Sequence, residues 1–296
     1  MVERKNALLL FSKPPLPGLV KTRLTPLKDG IFTPEVAARL YHCMFFDVVE
    51  ICCDALSDLE AADEARHAQC EACADAIHDT YDIFISTTPA ENGAVMRRFF
   101  DESGSWPRPL TIICDEGADF DEHYNDAFKQ VFDRGYDTIL SMGGDMPTLP
   151  KAVVVEGFEQ LHCLDATSRG GCVLSPDQEM GVSLVGWTKR TAIDHTGVFY
   201  NREGLTVLPA YIAKAKANNV AVIVLPAVID IDTMADLNHH VTLLEAIEYG
   251  AQFQDLSFPG RTIDALRQMG YSEVRVLPNE LRDSREEIDV KVSSRD

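Results

Sequence analysis

Positive charge is scarce in this sequence: 27 lysines and arginines stand against 47 aspartates and glutamates, for a formal net charge of −20. Nucleic-acid backbones and anionic membrane surfaces both demand a basic footprint, so neither is expected as a partner. Long apolar runs are missing too. The longest late in the chain, Val220 to Leu225, falls far below the roughly 18 apolar residues of a membrane span. The apolar run behind the charged Met1–Asn6 is too short for the core of a signal peptide, and a cytoplasmic protein is expected. The chain lacks both the P-loop pattern and the glycine-rich dinucleotide fingerprint. Repeats and low-complexity tracts are absent as well. Eight cysteines in 296 residues, several of them on expected helices, fit reduced thiols better than a disulfide framework.

What is present is an ordinary folded composition, 46% hydrophobic and 25% charged, which excludes disorder throughout. The length suits one large α/β domain or a domain with an appendage. The informative stretch is Ala7–Pro26, ALLLFSKPPLPGLVKTRLTP. Its unbroken apolar start, Ala7 to Phe11, suits a strand buried on both faces of a parallel sheet. Three prolines then forbid continuation of the strand. Lys13, Lys21 and Arg23 follow on a loop at the strand's carboxyl end, where open α/β sheets bind ligands. Lys21 can act on a phosphate as a point charge and Arg23 as a two-pronged donor, while Gly18 lets backbone approach the ligand. The competing reading of the same residues is a loop of solvated surface charges.

Further along, residues 34 to 56 read as the first crossover helix, with Thr33 as N-cap and Pro34 in the first turn. The acidic, Ala-rich stretch 57–79 reads as an extra helical insertion. Within it His67, Cys70 and Cys73 recur at three-residue steps, which on a helix makes them neighbours. With Cys52 or Cys53 they make a soft-metal set, against the alternative that helical cysteines are small buried hydrophobes. Strands are expected at Tyr81–Thr87, Leu110–Cys114, Thr138–Met142, Gly171–Ser175, Gly181–Gly186 and Val220–Leu225. Helices are expected at 89–103, 121–134, 150–163, 202–219, 234–248 and near 263–269. Asp145, hanging from the fourth strand behind two glycines, is either a hard-cation ligand or a turn residue capping the next helix. Asp230 and Asp232 alternate onto one side, and one of them, or Thr233, also suits the cap of the following helix.

Three segments carry a family resemblance. Gly18–Leu27 (GLVKTRLTPL) is similar to the amino-terminal signature of the nucleotide-diphospho-sugar transferase (GT-A) superfamily. Gly143–Pro150 (GGDMPTLP) resembles the G-x-D-x-P-T-L-P of its glycosyltransferase branch that is kin of 2-phospholactate and molybdenum-cofactor nucleotidyltransferases. Asp230-Ile231-Asp232-Thr233 with Asp236-Leu237 resembles that branch's D-I-D-T-P-E-D-L. The match spans about residues 5 to 240.

The resemblance implies a GT-A fold, a mostly parallel sheet with helices on both faces, over residues 1–248, with 249–296 as an accessory segment. That segment would cover a sheet edge, mediate a homodimer or trail as a tail. The resemblance also implies Mg2+ or Mn2+ on Asp145, Asp230 and Asp232, with Lys13, Gly18, Lys21, Arg23 and Gly144 around a nucleotide. It departs where the branch carries Asp-Gly-Gly-Tyr: Glu179-Met180-Gly181-Val182 stand there instead. Glu179, or its neighbour Asp177, is then the candidate general base, with Lys21 and Arg23 compensating phosphate charge in catalysis. His123 stands where the family has an arginine. The expected activity is metal-dependent glycosyl transfer from a nucleotide-sugar to a small-molecule acceptor. The alternatives are nucleotidyl transfer from a nucleoside triphosphate, releasing pyrophosphate, and nucleotide binding without turnover.

Overall fold

Ala7, Leu8, Leu9 and Leu10 are all fully buried, because successive side chains of a strand point to opposite faces and here both faces are covered. They lie in the first strand of the computed structural model, which describes residues 2–69, 77–256 and 258–271. The elements in chain order are β1 (Val2–Phe11), two short 3-10 turns (Thr22–Leu24 and Pro26–Lys28), α1 (Pro34–Gln69), β2 (Ile77–Thr87), α2 (Glu91–Glu102), β3 (Leu110–Cys114), α3 (Phe120–Asp133) and β4 (Thr138–Gly143). There follow α4 (Lys151–Asp165), β5 (Cys172–Pro176), β6 (Val182–Thr188), α5 (Val207–Asn218), β7 (Val222–Val224), α6 (Met234–Gly250) and α7 (Gly260–Gln268).

The seven strands form one sheet in the order β3-β2-β1-β4-β6-β5-β7. Only β6 runs antiparallel to its neighbours, so the sheet is mixed and mostly parallel, as the sequence predicts. Leu8 and Leu10 face a core built with α1, α4, α6 and α7. Ala7 and Leu9 face a second core shared with α3 and α5. Between β1 and β4 the strand order reverses direction, leaving a crevice at their carboxyl ends. That crevice, framed by Phe11, the Pro-rich loop and Gly143, is where the site lies.

Several expectations shift. The stretch from Ser57, read as a separate helical insertion, continues α1 without a break to Gln69. The helical periodicity does not lapse there; only the composition changes, from core-facing to acidic. β2 begins at Ile77, four residues earlier than expected, and pairs with β1 from Ile77 to Ser86. The expected buried strand Val220–Leu225 shrinks to β7, a three-residue edge strand with Val224 59% exposed, since it has a partner on one side only. Cys70, Cys73 and the last part of the accessory segment, residues 272–296, lie outside the described residues.

Within the described residues, the part of the chain past Gly250 is anchored through α7. The buried carboxylate of Asp47 on α1 accepts hydrogen bonds from the backbone N–H and the hydroxyl of Thr262, both at 2.7 Å, and caps the start of α7. Among the described residues no helix is long and apolar enough to cross a membrane.

Candidate active site

Lys21 is the pivot. It adopts the left-handed backbone conformation, φ 47°, which is uncommon for a residue with a Cβ and turns its side chain inward from the loop. Its Nζ donates to Asp145 Oδ2 at 2.7 Å and Asp232 Oδ1 at 3.2 Å, and also to the carbonyl oxygen of Ile231. It stands over the ring of Tyr41, 5.9 Å from the centroid, a cation–π distance. Burial works against the ammonium, but the Asp145 and Asp232 carboxylates outweigh it and raise its pKa. Arg23, on the exposed side of the same turn, pairs with the other oxygen of Asp232.

The two acidic segments are sewn together by backbone as well as charge. Ile231 is fully buried and its N–H donates to the Asp145 carbonyl at 3.1 Å, so Asp230 and Asp232 flank it and project beside Asp145. One carboxylate oxygen from each of the three aspartates lies within 4.8 Å of the others. Asp230 bears the consequence: burial and the neighbouring Asp145 and Asp232 charges push its pKa up to about 7. Gln178 holds it in place. Its Nε2 donates to Asp230 Oδ1 at 2.8 Å, and its Oε1 accepts from the Asp230 N–H at 3.2 Å. The helix cap falls to Thr233, whose hydroxyl exchanges bonds with Asp236 in a capping box. Both Asp230 and Asp232 therefore remain in the cluster.

Beside the cluster opens a cavity of about 490 Å3, lined among others by Ser12, Lys13, Lys21, Tyr41, Asp115, His123, Asp145 and Tyr200. Lys13 is exposed at its rim. Gly18 has φ +77° with open space where a Cβ would stand, so its need is conformational. Gly144 is read from sequence as a place for substrate to approach, but a Cβ there would stand 2.3 Å from the Phe45 ring. Its small size serves packing against α1. Glu179 is exposed on the β5–β6 turn and does not line the cavity. Asp177 is taken up by that turn, its Oδ1 accepting from the Glu179 and Gly181 N–H groups.

Three side chains of this site escape a reading of the sequence. Gln178 sits beside the anomalous Glu179 slot and would have been found only by asking what else on that turn can hold a carboxylate. Tyr41 has its hydroxyl 2.8 Å from Ser12 Oγ, yet in sequence it is one more apolar position on α1. Asp115 follows directly on β3, a carboxylate at a strand's carboxyl end, which is the signal that could have exposed it. Its Oδ2 accepts from Ser86 Oγ at 2.6 Å, and its Oδ1 faces His123 Nδ1 at 2.6 Å, at an angle short of a hydrogen bond.

Seven strands in this order, mostly parallel, give an α/β fold that matches a solved structure of nucleotide-diphospho-sugar transferase type. The chain is similar over 90% of its length, and 97% of the other, to the crystal structure of a protein from Desulfovibrio desulfuricans G20 described as a "putative nucleotide-diphospho-sugar transferase". The TM-score is 0.60 at 23% identity. Weaker likenesses are to a cytidylyltransferase from Leptospira borgpetersenii serovar Hardjo-bovis (TM-score 0.44, 14% identity, 95% and 100% of the two chains). Another is to a CMP:2-keto-3-deoxy-manno-octonic acid synthetase complexed with CTP (TM-score 0.42, 13% identity, 84% and 100%). Residues 71–202 match the family described as "Uncharacterized protein conserved in bacteria (DUF2064)". No curated protein matches the sequence.

Proposed function

We propose that the protein transfers a sugar from a nucleoside diphosphate-sugar to a hydroxyl acceptor, with Mg2+ or Mn2+ at the crevice. The observation that carries this is the convergence of Asp145, Asp230 and Asp232 within 4.8 Å at the edge of a nucleotide-sized cavity. Three hard oxygen donors suit these ions, and burial together with the Asp145 and Asp232 charges raises the pKa of Asp230, a strain that a bound cation would relieve. The chain's residues therefore fit the cation, with Asp145, Asp230 and Asp232 holding it. When bound it would neutralise the diphosphate as that group leaves.

The remaining chemistry falls to side chains. Lys21 adds a fixed positive charge beside the departing diphosphate. The acceptor oxygen bonds to the anomeric carbon as the bond from that carbon to the diphosphate oxygen breaks. His123, with Asp115 behind Nδ1, takes the acceptor's proton on Nε2. This assignment replaces Glu179, which lies away from the cavity. Lys21 and Arg23 are both engaged by aspartates, so the loop offers partly neutralised charge, which suits a nucleoside diphosphate leaving group better than the more highly charged pyrophosphate. Glycosyl transfer is therefore preferred to nucleotidyl transfer.

The test is thermal unfolding with a panel of nucleotide-sugars and nucleoside triphosphates, with and without Mn2+, on the wild type and on Asp145→Asn. A ligand at a hundred times its dissociation constant adds about 2.7 kcal/mol. The expected result is a Mn2+-dependent shift with one nucleotide-sugar, lost in the variant, with sugar release in an acceptor screen. Pyrophosphate release from a triphosphate would move the assignment to nucleotidyl transfer. A shift without product would leave a binding module, and no shift from any member would overturn the nucleotide reading.

A further inference from the structure

At the opposite end of the sheet from the acidic crevice, the last turns of α1 meet the first residues of β2. We propose that Asp63, His67 and His78, brought together there, form a second metal site, one that binds a borderline transition-metal ion of the zinc class. His78 pairs with Glu3 in the β1–β2 register, and Ser86 with Phe11 at the crevice end. The eight residue steps between them, at about 3.3 Å each, separate the two ends by about 26 Å.

The geometry is that of converging ligands. Asp63 Oδ2 lies 2.9 Å from His78 Nδ1 and 3.4 Å from His67 Nε2, and the three atoms all fall within 4.8 Å of one another. Ligands at about 2.1 Å around a tetrahedral zinc are about 3.4 Å apart, so modest side-chain adjustment brings all three onto one ion. The carboxylate is fully buried and positioned: Arg66 holds Oδ1, and the Asp79 N–H donates to Oδ2 at 3.2 Å. Both imidazoles are partly exposed, which leaves a path for the ion and a fourth position for water.

Donor chemistry separates this site from the aspartate cluster. Two imidazole nitrogens and one carboxylate suit Zn2+ and its neighbours, whereas Mg2+ and Ca2+ prefer oxygen alone. The charges facing the site are accountable. Arg4 is committed to Asp79 by two hydrogen bonds of 2.6 and 2.8 Å. Arg66, with its side chain 64% exposed, can swing towards solvent when an ion arrives. His67 Nε2 also lies 3.0 Å from the Ile77 carbonyl, to which it donates in the metal-free chain; the ion takes that proton's place. The bound metal would clasp the end of α1 to the start of β2. Without a metal the same groups form carboxylate–imidazole contacts, and experiment separates the two.

The experiment titrates the full chain, stripped of metal and with thiols reduced, with Zn2+ alone. The wild type and the His67→Ala/His78→Ala double variant are compared, since both positions are exposed enough to tolerate the change. Zinc retained after dialysis is counted and the unfolding midpoint followed. The wild type should retain one equivalent that the double variant loses, with at least a 100-fold weaker dissociation constant in the variant. Zinc should raise the midpoint of the wild type alone, and Asp145→Asn should bind this equivalent like the wild type. Equal zinc retention by wild type and double variant, or none by the wild type, overturns the proposal. Both chains carry the same cysteines, so the difference reports the imidazoles.

Discussion

Lys21 Nζ donates to Asp145 Oδ2 at 2.7 Å across 124 residues of sequence, so the ammonium sits where a metal-binding carboxylate would otherwise face its ion. The lysine and a divalent cation therefore compete for the same charge. Lys21→Met should destabilise the metal-free chain at pH 7 by about 2 kcal/mol. This is below the 3–5 kcal/mol of a fully buried pair, because Asp232 is 42% exposed. The same variant should bind Mn2+ more tightly than the wild type. Chemical denaturation and metal titration read the two effects, and weaker Mn2+ binding in Lys21→Met would contradict the competition.

Gln178 clamps Asp230 from both its amide atoms. Gln178→Ala should lower Mn2+ affinity by about 10-fold or more, as removal of groups that orient ligands does. It should leave the unfolding midpoint of the metal-free chain nearly unchanged, because Gln178 is exposed. Isothermal titration beside a melting curve decides it.

Gly144 faces Phe45, and a methyl group there overpacks the contact between β4 and α1. Gly144→Ala should cost about 1–3 kcal/mol, and Phe45→Leu in the same chain should recover much of it. If the glycine mattered for substrate approach alone, Phe45→Leu would leave the stability of Gly144→Ala no better.

His162 supplies the pH dependence. Burial, followed by the nearby Arg4 charge, lowers its pKa to about 4 against the opposing pull of Asp79. It stays neutral beside Asn6 Oδ1 at 3.1 Å. The unfolded chain takes up this proton near pH 6.5 and the folded chain only near 4. The unfolded state thus binds more protons in that window, and stability falls as pH drops through it. The loss reaches at most about 3 kcal/mol by pH 4. His162→Gln should flatten the stability profile between pH 6.5 and 4 relative to the wild type, as read by urea denaturation at each pH.

Much of the architecture was legible because it is local. The run Ala7–Leu10 announces a strand buried on both faces. The α1 stripe through Val36, Leu40, Met44 and Val48 announces a crossover helix, and Thr138–Met142 announces the strand that carries Asp145. Each element depends on a period of two or 3.6 residues that neighbouring side chains set among themselves. The three motif segments placed Lys21, Asp145, Asp230 and Asp232 on loops bound for one end of the sheet. Their common destination follows from parallel strands sharing one carboxyl edge.

Periodicity names a face but not the partner across it, and that part was left to the tertiary structure. It set Lys21 among carboxylates 124 and 211 residues away, where sequence suggested a free phosphate ligand. It brought Gln178 to Asp230, a pair formed by strand order, and turned the first turn of α3 back so that His123 faces Asp115. It turned Gly144 into a packing residue through a phenylalanine 99 positions earlier. It also folded His67 and His78, which lie in separate elements, onto the single carboxylate of Asp63. Charges and polar groups act through distance in space, and that distance exists only once the sheet has closed its crossovers.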